Sequence, residues 1–279
     1  MTTRYRRRLY ETAAEHADEL AAALWEAGTL GVEELPSAAG SQRLHAFFAG
    51  AGAVAVMALP PGARLVEEGW VDEQDWLASY RIQAQPIAVG ARFVLDPREP
   101  DQIAPEVPEG RLLLRVPARS AFGTGSHAST RLALCLLEGQ DLAGRSVLDV
   151  GTGSGVLALA ALALGAAKAV GFDLDPAAGL LAGQHARLNR LPATFWTGGS
   201  DGLAPAARFD VVVVNALPHE VLPEGARLAA AVAAQGRLLI SGVLASEASA
   251  TLAAWGAHGL VPVERLDEEE WSAWTLARG

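Results

Sequence analysis

From Ser146 to the end, short apolar runs alternate with longer stretches whose apolar residues recur at helical spacing. Val147–Val150 is an apolar run interrupted only by Asp149, and Val156–Leu164 follows it at helical spacing. Ala169–Asp173 reads as the next strand, and Pro176 opens a helix that runs to Asn189. Ala193–Thr197 and Phe209–Asn215 are two more strands. A helix over Leu222–Ala234, a strand over Arg237–Gly242 and a helix over Ser246–Gly256 come next. Two final strands, Leu260–Arg265 and Trp271–Ala277, flank the acidic turn Asp267–Glu270. Strands and helices in strict alternation predict an α/β, doubly wound, mostly parallel sheet, and the last pair adds an antiparallel hairpin. In such a sheet the ligand lies outside the carboxyl ends of the strands.

The pattern ahead of it differs. Thr3–Tyr10 reads as a strand, and Thr12–Glu26 as an alanine-rich helix with Thr12 as its N-cap. Gly31–Leu35 and Leu44–Phe48 are short strands joined by a turn-rich segment. Ala51–Leu59 reads as a second helix stopped by Pro60-Pro61-Gly62, and Arg64–Glu67 as a fourth strand. That order predicts a small α+β, ferredoxin-like domain. Trp70–Arg81 has acids first and apolar residues after, which suggests a linker helix. Ala91–Leu95 and Leu112–Val116 are strand-like pieces leading into the second domain. The expected division is 1–67, a linker over 68–85, and 86–279.

Bulk properties narrow the setting. A 279-residue chain that is 51% hydrophobic can form a large core. Its net charge of −10 argues against broad nucleic-acid binding. Arg4, Arg6, Arg7 and Arg8 are the one basic cluster: a solvated strand face, or a contact for RNA or an acidic partner. The single cysteine, Cys135, excludes an internal disulfide. No apolar run suggests a membrane span and no h-region follows the N-terminal arginines, so the cytoplasm is the expected location.

The chemistry centres on Asp149-Val150-Gly151-Thr152-Gly153-Ser154-Gly155. Glycines without a Cβ let a ligand approach the backbone, and the following helix turns its N-terminus toward it. Such a turn serves dinucleotides and S-adenosylmethionine alike. Asp149 favours the second, because dinucleotide sites usually keep that strand end apolar, and an acid there would lie near the methionine ammonium. Asp173 ends the next strand about 20 residues after the glycines, where a carboxylate accepts from ribose hydroxyls; it fits either nucleoside. A nicotinamide-dependent oxidoreductase and a methyltransferase both remain open on these residues.

Two further stretches carry a resemblance. Phe122-Gly123-Thr124-Gly125-Ser126-His127-Ala128-Ser129-Thr130 precedes the glycine strand, and Val214-Asn215-Ala216-Leu217-Pro218 closes a later one. With the glycine turn, Trp70, Asp75-Trp76-Leu77 and Glu270-Trp271, the chain resembles the PrmA family, the methyltransferases of ribosomal protein L11. The departures are Ser129-Thr130 for the usual Thr-Thr, and Leu217-Pro218 after the asparagine.

The resemblance implies a Rossmann-like methyltransferase domain with S-adenosylmethionine as methyl donor. Lysine side chains and the N-terminal amine of ribosomal protein L11 would be the acceptors, with no membrane partner and no stable nucleic-acid partner. It implies that Thr130, Gly151, Asp173 and Asn215 contact or shape the cofactor site. Asn215 is also the candidate catalytic residue, either accepting from the attacking amine or holding the cofactor's ammonium. The N-terminal domain would hold the substrate protein. His127 reads as a hydrogen-bonding residue rather than a base, since methyl transfer to a neutral amine needs little acid–base help. Other substrates for such an enzyme stay open on the residues alone.

Overall fold

The computed structural model describes residues 4–29, 31–35, 37, 40–49, 59–72, 85–117 and 127–279. Two units separate by their contacts, Met1–Gln83 and Ala84–Gly279.

In the first unit, β1 (Arg4–Ala13), β2 (Gly31–Leu35), β3 (Ser41–Ala49) and β4 (Arg64–Asp72) form an antiparallel sheet. The strand order is β2-β3-β1-β4, with helix α1 (Ala17–Glu26) between the first two strands in sequence. This is the ferredoxin-like order; the expected second helix falls at 51–58, outside the described residues. Tyr10, Leu44, Ala46 and Phe48 alternate onto one face and bury against Leu20 and Leu24 of α1.

Two expectations change here. Thr12 is no N-cap: it pairs with Gln42 in the β1–β3 ladder and is buried. The ladder's hydrogen bonds outweigh helix propensity, and the helix starts only at Ala17. β4 runs on to Asp72, with Trp70 paired to Arg6, so no helix begins at Trp70. The rest of that predicted helix, 73–81, lies outside the described residues. The arginine cluster faces the glutamates of β4. Arg7 pairs with Glu67 at 2.8 Å and Arg8 with Glu68 at 2.6 Å, while Arg6 lies 5.2 Å from the Trp70 ring centre. These are cross-strand ion pairs on opposite faces of the sheet, Arg8 on the side of Phe48 and Arg7 on the other, and such half-exposed pairs each contribute little to stability.

The second unit opens with a three-stranded sheet: β5 (Ile87–Val89), β6 (Phe93–Asp96) and β7 (Leu112–Arg115). Helix α2 (Ala128–Glu138) follows. The main sheet then builds from β8 (Ser146–Val150), α3 (Val156–Ala163), β9 (Lys168–Asp173), α4 (Pro176–Asn189), β10 (Thr194–Thr197) and β11 (Phe209–Asn215). It ends with α5 (Pro218–Val221), α6 (Gly225–Ala231), β12 (Val232–Leu244), α7 (Ala248–Gly256), β13 (Leu260–Glu268) and β14 (Trp271–Arg278). The strand order is β10-β9-β8-β11-β12-β14-β13. The pairs from β10 to β12 are parallel, and β14 runs antiparallel to both its neighbours. The order reverses between β8 and β11, which sets the crevice at their carboxyl ends.

Central strands buried on both faces need apolar residues at every position. In β11, Val211 and Val213 join one core with Leu134, Leu157 and Phe93, while Val212 and Val214 join the other with Leu148, Ile240 and Trp255. The helix expected over Leu222–Ala234 is shorter. A 3-10 turn at Leu222–Glu224 holds Pro223, α6 covers only Gly225–Ala231, and Val232 already pairs with Phe209. No helix among the described residues is long and apolar enough to cross a membrane.

Leu148 is fully buried in the central strand. Leu148→Ala is expected to lower the unfolding free energy by about 2–5 kcal/mol, read from urea denaturation; a loss below that range would mean the core collapses around the gap.

Candidate functional site

β8 delivers the chain into a turn that rises at the sheet's crevice. Gly151, Gly153 and Gly155 all have positive φ (65°, 50° and 81°), a region that side chains with a Cβ disfavour. Two of them serve different ends. A Cβ on Gly155 would sit 2.9 Å from the Cβ of Ala182, so that glycine lets α4 pack against the turn. Among the described residues a Cβ on Gly151 would meet nothing nearer than the Ala216 Cβ at 4.0 Å, so none of them fills that side of the turn.

Asp149 does not occupy that side. It is 0% exposed, and its Oδ2 accepts from the Thr152 hydroxyl at 2.7 Å and the Ala158 amide at 3.1 Å. It ties the strand end to the first turn of α3. Its Oδ1 is buried with no hydrogen-bond partner among the described residues. Burial, with a small addition from Asp173, pushes its carboxyl up to about 7, against the lowering effect of its two hydrogen bonds.

Asp173, at the tip of β9, is partly exposed. Its Oδ2 accepts from the Gly153 amide at 2.8 Å and its Oδ1 from the Asp175 amide at 3.0 Å. Each carboxylate oxygen has a second lone-pair site, so the group is fixed by the turn and still able to accept from a ligand. Beside it the rings of Phe172 and Trp196 lie 5.0 Å apart.

Across the crevice, Asn215 ends β11 next to the end of β8, with Val214 paired to Val150. Its Nδ2 donates to the Thr130 hydroxyl at 3.2 Å. Thr130 is fully buried in the first turn of α2, which is anchored where the Ser241 hydroxyl donates to the Ser129 carbonyl at 2.8 Å. With Nδ2 on Thr130, Asn215 Oδ1 is left as an acceptor; it is buried and has no partner among the described residues. Thr130 and Asn215, 85 positions apart, thus meet. Asp173 reaches the turn at the Gly153 amide, two residues after Gly151. The Phe122-Gly123-Thr124-Gly125 stretch lies outside the described residues.

His127 caps α2: its Nδ1 accepts from the Ser129 amide at 3.2 Å. Its ring meets Trp271 edge-on, 4.8 Å between centres. Burial, then the Arg131 cation, push its pKa down, against Glu268, Glu269 and Glu270. Arg131 donates to Glu268 at 2.8 Å, so the acidic hairpin pins the start of α2. Sequence reading missed Thr152, Ser241 and His185, whose roles depend on backbone partners that only the fold supplies.

The arrangement fits S-adenosylmethionine. Among the described residues, a glycine backbone with no close neighbour suits the methionine part, a pinned carboxylate suits the ribose, and a buried amide oxygen without a partner suits an N–H donor.

The raised Asp149 ionisation has a signed consequence. Between about 3.8 and about 7 the folded chain keeps a proton that the unfolded chain releases. This group's contribution to stability is therefore fully present below that window and falls as pH rises through it. In the ligand-free protein, Asp149→Asn should lose that slope. Thermal melts across the window are expected to move in favour of the variant as pH rises, whereas parallel curves would disprove the shift.

Residues 54–279 match the family described as ribosomal protein L11 methyltransferase (PrmA). The ribosomal protein L11 methyltransferase of Geobacter sulfurreducens is 39% identical over 203 residues, 72% of this chain and 66% of that protein. That of Burkholderia multivorans is 34% identical over 295 residues, 96% of each. This chain thus spans just under two thirds of the first relative and nearly all of the second. A ribosomal protein L11 methylase structure from Lactobacillus delbrueckii subsp. bulgaricus superposes with a TM-score of 0.64 at 23% identity, over 69% of this chain and 98% of that one. That likeness is one of fold. Together with the glycine turn, the pinned Asp173 and the Thr130–Asn215 pair, these matches show that the chain belongs to the PrmA family of ribosomal protein L11 methyltransferases.

Proposed function

We propose that this protein is an S-adenosylmethionine-dependent N-methyltransferase whose substrate is ribosomal protein L11, acting on lysine side chains and the N-terminal amine. The observation that carries the reading is the Thr130–Asn215 hydrogen bond, which leaves an amide acceptor at the crevice beside the glycine turn. The family match to residues 54–279 supports the choice of substrate. On this reading the unit at the N-terminus holds the substrate protein, and the enzyme works in the cytoplasm, where ribosomal proteins are made.

When bound, the cofactor supplies an electrophilic methyl on a sulfonium. The chain's residues do the rest. The Gly151 backbone receives the methionine part, and Asp173 accepts from the ribose hydroxyls. A lysine amine, with an ordinary pKa near ~10.4, must lose a proton before it can attack. A partly desolvated crevice favours the neutral amine. Thr130 holds the Asn215 amide in one orientation, so its oxygen accepts an N–H of that amine and aims its lone pair. Charge is dispersed along the transfer, so positioning is the main contribution, with effective molarities of about 10⁵ M or more within reach.

The direct experiment is mass spectrometry of purified ribosomal protein L11 after incubation with the enzyme and labelled S-adenosylmethionine. Label on lysine and N-terminal nitrogens is expected. Label only on another protein or a small molecule would overturn the substrate, and no label with tight cofactor binding would leave a binder without activity. Asp173→Ala is expected to weaken S-adenosylmethionine binding by about 1–3 kcal/mol in calorimetry, and unchanged affinity would remove its ribose role. Asn215→Ala should lower kcat by about 100-fold; a rate within a few-fold of the parent would deny it a place in the chemistry.

A further inference from the structure

A turn built on three left-handed glycines is soft, because without a Cβ a peptide group there can rotate at little steric cost. The peptide between Ser154 and Gly155 is held at both of its ends. The Gly155 amide donates to the Thr152 carbonyl at 2.7 Å. The Ser154 carbonyl lies 2.8 Å from Nδ1 of His185. A carbonyl only accepts, so the proton of this bond sits on Nδ1 and the tautomer is fixed by chemistry. His185 is 2% exposed and lies on α4, one turn after Ala182, the residue against which Gly155 packs.

Helix α4 is itself held in place at that end. Asn189, one turn beyond His185, donates from Nδ2 to the Arg115 carbonyl at 2.7 Å and accepts the Arg115 amide at 2.8 Å on Oδ1. Its Nδ2 also donates to the His185 carbonyl at 2.9 Å. One amide side chain thus treats β7 as a neighbouring strand would. A continuous line of hydrogen bonds runs from the small sheet through Asn189 and His185 into the glycine turn. From there the Gly153 amide passes to Asp173, the ribose carboxylate of the proposed site.

We infer that His185 is a positioning residue for S-adenosylmethionine: its Nδ1–H locks the Ser154–Gly155 peptide and thereby sets cofactor affinity without touching the cofactor. This rests on the reading that the glycine turn holds that cofactor. The side-chain chemistry selects the test. Asparagine carries an N–H donor at the same distance from the backbone as Nδ1 of histidine, whereas leucine has similar bulk and no donor. The affinities of S-adenosylmethionine and S-adenosylhomocysteine, the KM for each substrate, kcat and thermal melting are compared in the parent, His185→Leu and His185→Asn.

His185→Leu is expected to raise the dissociation constant and the cofactor KM about tenfold, the effect of one lost hydrogen bond. The KM for the protein substrate should stay in place, and kcat at saturating cofactor should change far less. His185→Asn should restore cofactor affinity to within a few-fold of the parent. If the leucine variant does not fold, His185→Ala removes the donor without adding bulk and replaces it. Parent-like affinity in the donor-less variant would overturn the inference. So would an asparagine variant as impaired as the leucine one, since that pattern belongs to packing alone. A parent enzyme that binds no S-adenosylmethionine would instead overturn the proposed function.

Discussion

A glycine turn can admit a ligand only by giving up its own stiffness, and the rest of this site follows from that constraint. Three neighbours supply what the glycines lack. Asp149 ties the turn to the start of α3 through Thr152 and Ala158. Asp173 holds the Gly153 amide, and His185 holds the Ser154 carbonyl. Each belongs to a different element, so the turn's shape depends on the packing of β8, β9 and α4 together. Burying Asp149 is costly for a carboxylate, as its raised ionisation shows. The same burial puts an acceptor where backbone donors at a helix start need one.

The other wall of the crevice is made from distant sequence. Thr130 sits in the first turn of α2, and Asn215 ends β11. They meet because Ser241 on β12 anchors the Ser129 carbonyl and the hairpin holds the same helix start through Glu268 and Trp271. The acidic turn before Trp271 therefore has a structural use within the second unit. His127 belongs to this support: as the cap of α2, with its ring on Trp271, it orients the helix that carries Thr130.

The first unit shows how sheet formation redirects charge. Its arginines look in the sequence like a cationic patch. In the antiparallel register Arg8 lies opposite Glu68 of β4, Arg7 reaches diagonally to Glu67, and Trp70 offers its ring to Arg6.

The sequence by itself determined the alternation of strands and helices in the second unit, because a strand buried on both faces must be apolar throughout, as in β11. It also determined the glycine turn and the acid at the tip of β9. Pro176 likewise marked the start of α4, since its fixed φ and missing N–H suit only that position. The tertiary structure decided what those residues touch. Thr12 has the chemistry of a cap, yet pairing with Gln42 made it a strand residue. Asp149 has the chemistry of a ligand acid, and packing gave one of its oxygens Thr152 and Ala158 as partners. His185 gave no signal in the sequence, because its partner is a main-chain carbonyl 31 positions away. A residue's chemistry is local, whereas the carbonyl or amide it meets is set by how the elements pack.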